Sequence, residues 1–183
     1  MNLKIIVSAN LIAALLLIPQ ILIADSTMKE QYTPGLLQGK LQNCPDKPNC
    51  INTENQQDES HYLPPLHFPE SEKGTIMSLA KDIIQNMGGI VTKATTKIGA
   101  KTSIESNVKE ESHYLSATFT SSLFRFVDDF ELRQDNTTLT LHIRSSSRTG
   151  YSDFGVNKRR VNKFSEQFKL KTNTLKTDTL KNE

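Results

Sequence analysis

Three stretches of alternating apolar and polar residues constrain the fold of this chain more than any other feature. Successive side chains of a β-strand point to opposite faces of its sheet, so each stretch predicts a strand with one buried face. The strands are expected at residues 113–120, 125–133 and 138–144. Their apolar positions are Leu115, Ala117, Phe119, Phe126, Phe130, Leu132, Leu139, Leu141 and Ile143. The connections are short, and Asp135-Asn136 is a natural turn between the last two, so the three strands predict an antiparallel meander.

Helical patterns flank this meander. Apolar residues recur at helical spacing within residues 75–87, and Gly88 follows as a stop signal. A second helix is expected at residues 154–168, and a weaker strand pair at residues 90–94 and 102–106. Strands and helices do not alternate as βαβ units. The sequence therefore predicts an α+β fold, an antiparallel four- to five-stranded meander flanked by two helices that cover one face of the sheet.

Residues 1–24 have the pattern of an export signal. Lys4 precedes a mostly apolar stretch, and the small residue Ala24 precedes a plausible cleavage point. The alternative is an uncleaved membrane anchor, because residues 5–23 are nearly long enough to span a bilayer. Both alternatives place the rest of the chain outside the cytoplasm, in a periplasmic or secreted protein.

The remainder of the chain divides by composition. Residues 25–43 are polar and predict a linker, and residues 169–183 predict a disordered tail. Between them, residues 44–168 have the size of a single domain.

Cys44 and Cys50 stand six positions apart at the start of this domain. In an exported chain such a pair predicts a disulfide, and the prolines and asparagine between them favour the turn that brings the sulfurs together. A thiolate metal site, with His61 as a third ligand, would still lack the four ligands of tetrahedral zinc. A redox pair would be expected to have the tighter Cys-x-x-Cys spacing. The disulfide would close an N-terminal arm, and the sequence predicts no metal site and no cofactor.

The charge balance excludes one class of partner. The formal net charge is +2, and removal of Lys4 with the leader would reduce it to +1. Proteins held to nucleic acid by their electrostatic field carry a clear positive excess. No nucleic-acid partner is therefore expected, and a membrane contact only if the N-terminal segment stays uncleaved.

Polar residues that could carry chemistry are concentrated in the last two strands and the segment after them. Strand alternation places Asp129 and Glu131 on the face shared by His142 and Arg144. With a two-residue turn at Asp135 and Asn136, Asp129 would face His142, and Phe130 would face Leu141, across the ladder. Asp128 falls on the apolar face, where an unpaired carboxylate is costly, so it needs a structural partner, for which we expect Arg148 or the start of the second helix.

Four interpretations of this region remain open. The charges could form a structural network of ion pairs and helix caps. Asp129, Glu131 and His142 could perform acid-base chemistry in a hydrolase. Asp128, Asp129 and Glu131 could hold a divalent cation, although adjacent strand residues point apart. The fourth is the binding of an anion at the start of the second helix, with Asp153 as either an unfavourable neighbour or a helix cap. The candidate ligand-binding residues are Arg144, Ser145, Ser147, Arg148, Tyr151, Asp153, Asn157 and Arg160.

Four motifs together resemble a known family. They are Cys-Pro-x-x-Pro-Asn-Cys at 44–50, Asp-x-x-His at 58–61, Phe-Val-Asp-Asp-Phe-Glu at 126–131 and Arg-Ser-Ser-Ser-Arg-x-Gly-Tyr-Ser-Asp-x-Gly-x-Asn-x-Arg-Arg at 144–160. In this order they resemble the domain-of-unknown-function family 1499, over about residues 44–168. The resemblance implies an exported or membrane-tethered bacterial protein, with relatives in plastids, and it implies no activity. Ser146 stands where the family often has Ala, and Lys158 where Arg is frequent.

The sequence therefore favours a non-enzymatic extracytoplasmic domain that binds a small anionic or polar ligand, or a partner protein, at the corner formed by residues 144–157. The alternatives are an uncharacterised hydrolase and a structural protein of the envelope.

Overall fold

The computed structural model describes residues 32–97 and 112–181. The predicted leader, the first part of the predicted linker and the strand expected at residues 102–106 lie outside the described residues. Within the described ranges no helix is long and apolar enough to span a bilayer.

The main sheet contains six strands and is antiparallel throughout, in the order β3-β8-β7-β6-β5, with β4 also pairing with β8. A separate hairpin is formed by β1 and β2. The strands are β1 (Leu36–Leu37), β2 (Lys40–Leu41), β3 (Cys50–Asn52), β4 (Leu66–His67), β5 (Ile90–Lys97), β6 (Ser112–Thr120), β7 (Val127–Asp135) and β8 (Thr140–Ser147). The predicted α+β class and the meander β5 to β8 are confirmed, with more strands than expected.

Both helices pack on one face of this sheet. Helix α1 spans Ile76–Asn86 and helix α2 spans Val156–Lys181. Their apolar stripes meet the inward side chains of β6, β7 and β8 in one hydrophobic core. The largest members of that core, each almost inaccessible to water, are Phe130, Phe164, Phe168, Ile76, Ile83, Ile84, Leu115, Leu132, Leu141 and Ile143. We call this the helix face of the sheet and the opposite side the outer face.

The sequence predicted the C-terminal end of α1 correctly but not that of α2. Gly88 follows α1 with φ of +87°, a conformation that glycine adopts without a steric penalty, so the predicted stop is confirmed. Helix α2 instead continues to Lys181, through most of the segment expected to be a disordered tail. No glycine or proline interrupts it, and the buried hydroxyl of Thr172 donates to the carbonyl of Phe168.

The predicted register of β7 and β8 was wrong. Phe130 pairs with Ser145, and Asp129 with Ser146, four positions from the expected partners. The turn contains four residues instead of two, because the carboxylate of Asp135 accepts hydrogen bonds from the backbone N–H groups of Thr137 and Thr138. A shift of four residues preserves which face each side chain occupies but changes its neighbours.

Strand β7 also begins two residues later than predicted. Arg125 has φ of +57°, which ends the extended conformation before Val127. Phe126, which we expected in the core, is exposed as a result.

The outer face is covered by residues 32–42, which we call the N-terminal strap. These residues were predicted to be linker, but Leu41 is buried, and its backbone N–H donates to the carboxylate of Glu54 at 2.6 Å. The side-chain amide of Asn52 donates to the carbonyl of Gln42 at 2.9 Å. The packed structure therefore begins before Cys44.

Candidate functional site

The polar residues singled out by sequence lie in two clusters on opposite faces of β7 and β8. Glu131, Asp129 and Arg144 are on the outer face, whereas Asp128 and Asn157 belong to a cluster on the helix face. The sheet itself separates the clusters. The corner that we expected to act as one site is thus two sites, and Arg144 is not part of the cluster that includes Asn157.

Glu131 is the centre of the outer cluster and is fully buried. Its carboxylate lies 3.1 Å from Nη1 of Arg144 and accepts hydrogen bonds from the hydroxyls of Tyr114, at 2.6 Å, and Tyr32. The backbone N–H of Gly35 donates to it at 2.9 Å. The guanidinium of Arg144 also stacks on the ring of Tyr32, 4.0 Å from its centroid. Two residues of the strap, Tyr32 and Gly35, therefore bind the sheet through this carboxylate.

Burial first, and then the neighbouring charge of Glu131, raise the pKa of the Tyr114 hydroxyl well above its usual range. Tyr32 is shifted in the same direction, also chiefly by burial. Both hydroxyls are consequently neutral donors, as their bonds to the carboxylate require.

Asp129 is the second buried carboxylate of the outer face. Arg148 binds it with two parallel hydrogen bonds, from Nε at 2.9 Å and from Nη2 at 2.8 Å. These bonds raise the pKa of the Arg148 guanidinium. Of the two partners expected for Asp128, Arg148 was wrong, because Arg148 reaches the outer face and Asp128 points to the other one, towards α2.

His142 is not brought together with the two acids proposed for catalysis. It pairs across the ladder with Arg133, whose guanidinium binds Glu54 at 2.6 Å. Burial lowers the pKa of the imidazole, against the opposing effect of the Glu54 carboxylate, so the ring is neutral at pH 7. Its Nδ1 atom has no hydrogen-bond partner among the described residues.

The helix-face cluster ties the end of β8 to the start of α2. Asp128 accepts a hydrogen bond from the hydroxyl of Ser147 at 2.5 Å and from Nη2 of Arg160 at 2.7 Å. The side-chain oxygen of Asn157 accepts from Arg160, and from the hydroxyl of Ser145, at 2.6 Å each. Every one of these groups has a partner inside the cluster, so Asp128 sits in a closed network at the edge of the core.

Asp153 caps helix α2. Its carboxylate accepts hydrogen bonds from the backbone N–H groups of Gly155, at 2.9 Å, and Asn157, at 2.6 Å. A negative charge at this position is also stabilised by the helix dipole. The Asp153 carboxylate thus occupies the place that an anion would take at the helix N-terminus. Tyr151, another of the predicted ligand-binding residues, is exposed in the preceding loop.

The disulfide loop is joined to both β8 and α2. Cys44 and Cys50 form the predicted disulfide. The carbonyl of Asn49 accepts hydrogen bonds from the side-chain amide of Asn157 and from the backbone N–H of Ser147, both at 3.0 Å. These bonds fix the loop against the helix-face cluster.

His61 braces the other side of the loop. Its Nδ1 atom lies 2.7 Å from the carboxylate of Asp58, and its Nε2 atom lies 2.9 Å from the carbonyl of Lys47. A hydrogen bond from Ser60, and then the bond to His61, lower the pKa of Asp58. His61 is buried, and with both nitrogens engaged it holds the loop in position.

Between the loop and α2 lies a cleft of about 110 Å³. Its lining residues are Pro48, Cys50, Ile51, Ser60, His61, Asp153, Gly155, Asn157 and Lys158. Most of them belong to the motifs that carry the family resemblance. The cleft therefore combines features that the sequence placed far apart, the disulfide loop and the helix start.

Sequence reasoning missed several residues of these clusters. Tyr32 was assigned to a linker, and neither Tyr114 nor Glu54 was considered. A signal was available for Tyr114, because strand alternation places it on the outer face, where Glu131 was already expected. Nothing in the sequence links Tyr32 to a strand about a hundred positions away.

A metal site finds no support in the geometry. In the described ranges no group of three or more His, Cys, Asp and Glu side chains is arranged to hold an ion. Asp128 and Asp129 point to opposite faces and each has its own arginine.

The family model described as a protein of unknown function, DUF1499, matches residues 40–168. No curated protein and no solved structure gives a match. The matched range covers the disulfide loop, the cleft, the helix-face cluster and the outer cluster apart from its strap residues Tyr32 and Gly35, and it accounts for well over half of the chain. The chain belongs to the DUF1499 family.

Proposed function

We propose that this chain is a non-enzymatic binding domain of the extracytoplasmic compartment, and that the cleft between the disulfide loop and α2 holds a small ligand with an anionic group. The observation that carries the proposal is the cleft itself, lined by motif residues from three separate segments. Small molecules bind in concave sites with a few polar groups, and a cleft of about 110 Å³ is small enough to hold only a single phosphate- or carboxylate-sized group.

The charges of the lining favour an anion. Lys158 is exposed at the cleft, and its ammonium can pair with an incoming negative group. The carboxylate of Asp153 is engaged by two backbone N–H groups, which offset its charge. Ser60 adds a hydroxyl. The ligand-binding group would thus be Lys158, supported by a rigid wall that the disulfide and His61 hold in place.

The polar clusters favour binding over hydrolysis. Asp129 and Glu131 are each committed to an arginine, and His142 contacts neither of them in the ladder. A general base must reach a substrate proton, and a nucleophile must reach a base. These three residues meet neither condition in this arrangement.

Lys158→Ala tests the proposal. The full-length protein is screened by thermal denaturation against phosphate, pyrophosphate, citrate and glycerol 3-phosphate. A ligand at a hundredfold excess over its Kd stabilises the folded state by about 2.7 kcal/mol, which raises the melting temperature by about 5–10 °C. We expect Lys158→Ala to lose this response.

Lys163→Ala is the matched control, because Lys163 is exposed on the same helix but does not line the cleft. It should respond as the wild type does. An equal response of the two variants would place the ligand elsewhere. If none of the four anions shifts the wild type, the domain is better regarded as a structural protein of the envelope.

A further inference from the structure

Exposed apolar side chains are concentrated at one end of the sheet. The loop that joins β6 to β7 and the loop that joins β8 to α2 both leave from this end, since Thr120 pairs with Val127 and the backbone N–H of Arg148 donates to the carbonyl of Val127. We call the two loops the aromatic rim. Its apolar side chains, between 55% and 89% exposed, are Leu123, Phe124, Phe126, Tyr151 and Phe154. A concentration of this kind marks an interaction surface.

The rim is held in its shape. The first loop is closed at its neck by two bonds between Ser121 and Phe126, one from each backbone N–H. In the second loop Arg159 donates to the carbonyl of Phe154 at 2.8 Å. Both Arg125 and Phe154 have positive φ, near +57° and +54°, which is unfavourable for residues with a side chain. The fold therefore maintains the outward position of these aromatic rings at a cost.

The charges beside the rim have one predominant sign. Arg125, Lys158 and Arg159 are exposed cations. The only carboxylate in the two loops and the first turn of α2 is that of Asp153, and it caps the helix. A surface that meets the rim must accept apolar rings at its centre and cations around them.

We propose that the aromatic rim inserts into the surface of an anionic phospholipid bilayer. Apolar rings at loop tips are buried at the boundary of headgroups and acyl chains, while arginine and lysine side chains pair with lipid phosphates. Tyr151 suits the same depth, because tyrosine is enriched at membrane interfaces. Apolar side chains that are each more than half exposed on two loops fit a deformable lipid surface better than a preformed protein groove.

The chain offers a direct test because it contains no tryptophan. Phe154→Trp places a single fluorophore in the rim, and Leu170→Trp places one at another exposed site, about 21 Å along α2 from its first residue, Val156. Full-length protein is added to phosphatidylglycerol or phosphatidylcholine vesicles with brominated acyl chains. Both variants carry the same N-terminal apolar segment, so a difference between them reports the rim.

We expect the Phe154→Trp emission to shift to the blue and to be quenched by brominated phosphatidylglycerol, and the Leu170→Trp emission to be unaffected. Arg125→Ala in the Phe154→Trp background should weaken partitioning about fivefold, the effect of one cation near an anionic surface. Lys163→Ala should leave it unchanged. Equal emission of the two tryptophans, or quenching that does not depend on the anionic lipid, would overturn the proposal. An unquenched Phe154→Trp would assign the rim to a protein partner instead.

Discussion

Glu131 and Arg144 show at the scale of single residues how this sheet carries charge in its interior. Both are almost inaccessible to water, and the pair is completed by two tyrosine hydroxyls and one backbone N–H. A buried ion pair adds little net stability relative to apolar residues, but it is costly to break, because the remaining charge stays buried without its partner. Such a pair specifies one arrangement of the sheet and the strap.

Removing one arginine from each buried pair should have unequal effects. Arg144→Ala leaves Glu131 without a cation where water cannot reach, so we expect a loss of about 3–5 kcal/mol in the free energy of unfolding. Arg148→Ala likewise removes the cation that pairs with Asp129. Because the Arg148 side chain is 43% exposed, water can replace it, and the loss in the free energy of unfolding should be about 1–2 kcal/mol. Urea unfolding of both variants measures the difference. Equal losses would show that solvent access does not distinguish the two pairs.

The residue scale also shows what the alternation of side chains along a strand can predict. Strand alternation correctly assigned Asp128 to the apolar face, where a carboxylate requires a partner. It could not identify Arg160, which lies 32 positions away on a helix whose rotation is set by packing. The faces of β7 and β8 followed from local alternation, whereas the partners depended on tertiary contacts.

At the scale of elements, the length of the turn between β7 and β8 decided whether the register of the two strands could be predicted. The sequence contained the signal for the β7–β8 turn, since an aspartate followed by Asn136 and two threonines favours a carboxylate that binds the next backbone N–H groups. We gave the turn two residues instead of four, and His142 was therefore placed opposite Asp129. In the observed register His142 pairs with Arg133 instead.

Asp153 gives a prediction for helix α2. Asp153→Ala removes the acceptor of two backbone N–H bonds and should lower the free energy of unfolding by about 1 kcal/mol. Ser152→Ala is the control, because the hydroxyl of Ser152 accepts a hydrogen bond from the backbone N–H of Phe154 in the loop, and it should change stability by less than about 0.5 kcal/mol. Thermal or urea unfolding measures both. A loss as large in Ser152→Ala would contradict the assignment of Asp153 as the cap.

At the scale of the whole molecule, the sheet is packed on both faces, by two helices on one side and by the strap on the other. The helix side was predictable, because it depends on apolar stripes within single elements. The strap was not predictable, because its contacts join residues such as Gly35 and Glu131, which are almost a hundred positions apart in the sequence. Linkers and chain segments that cover a polar surface are both polar in composition, so composition alone did not distinguish the strap from a linker.

The attachment of the strap predicts how the molecule responds to alkali. In the folded state Tyr32 and Tyr114 have raised pKa values, while in the unfolded chain a tyrosine ionises near pH 10. Their contribution to stability is thus fully present below about pH 10, and it is lost as the pH rises from there towards the folded-state pKa values, by up to about 1.4 kcal/mol per pH unit for each tyrosine.

Urea unfolding between pH 8 and pH 11 tests this coupling. The double variant Tyr32→Phe, Tyr114→Phe should be less stable than the wild type at pH 8, because two donors to Glu131 are gone. Above about pH 10 its stability should fall less steeply with pH. Tyr151→Phe, at an exposed position, should reproduce the wild-type profile. If the double variant loses stability as steeply as the wild type, alkaline unfolding starts elsewhere, and the strap is not held to the sheet by neutral tyrosines.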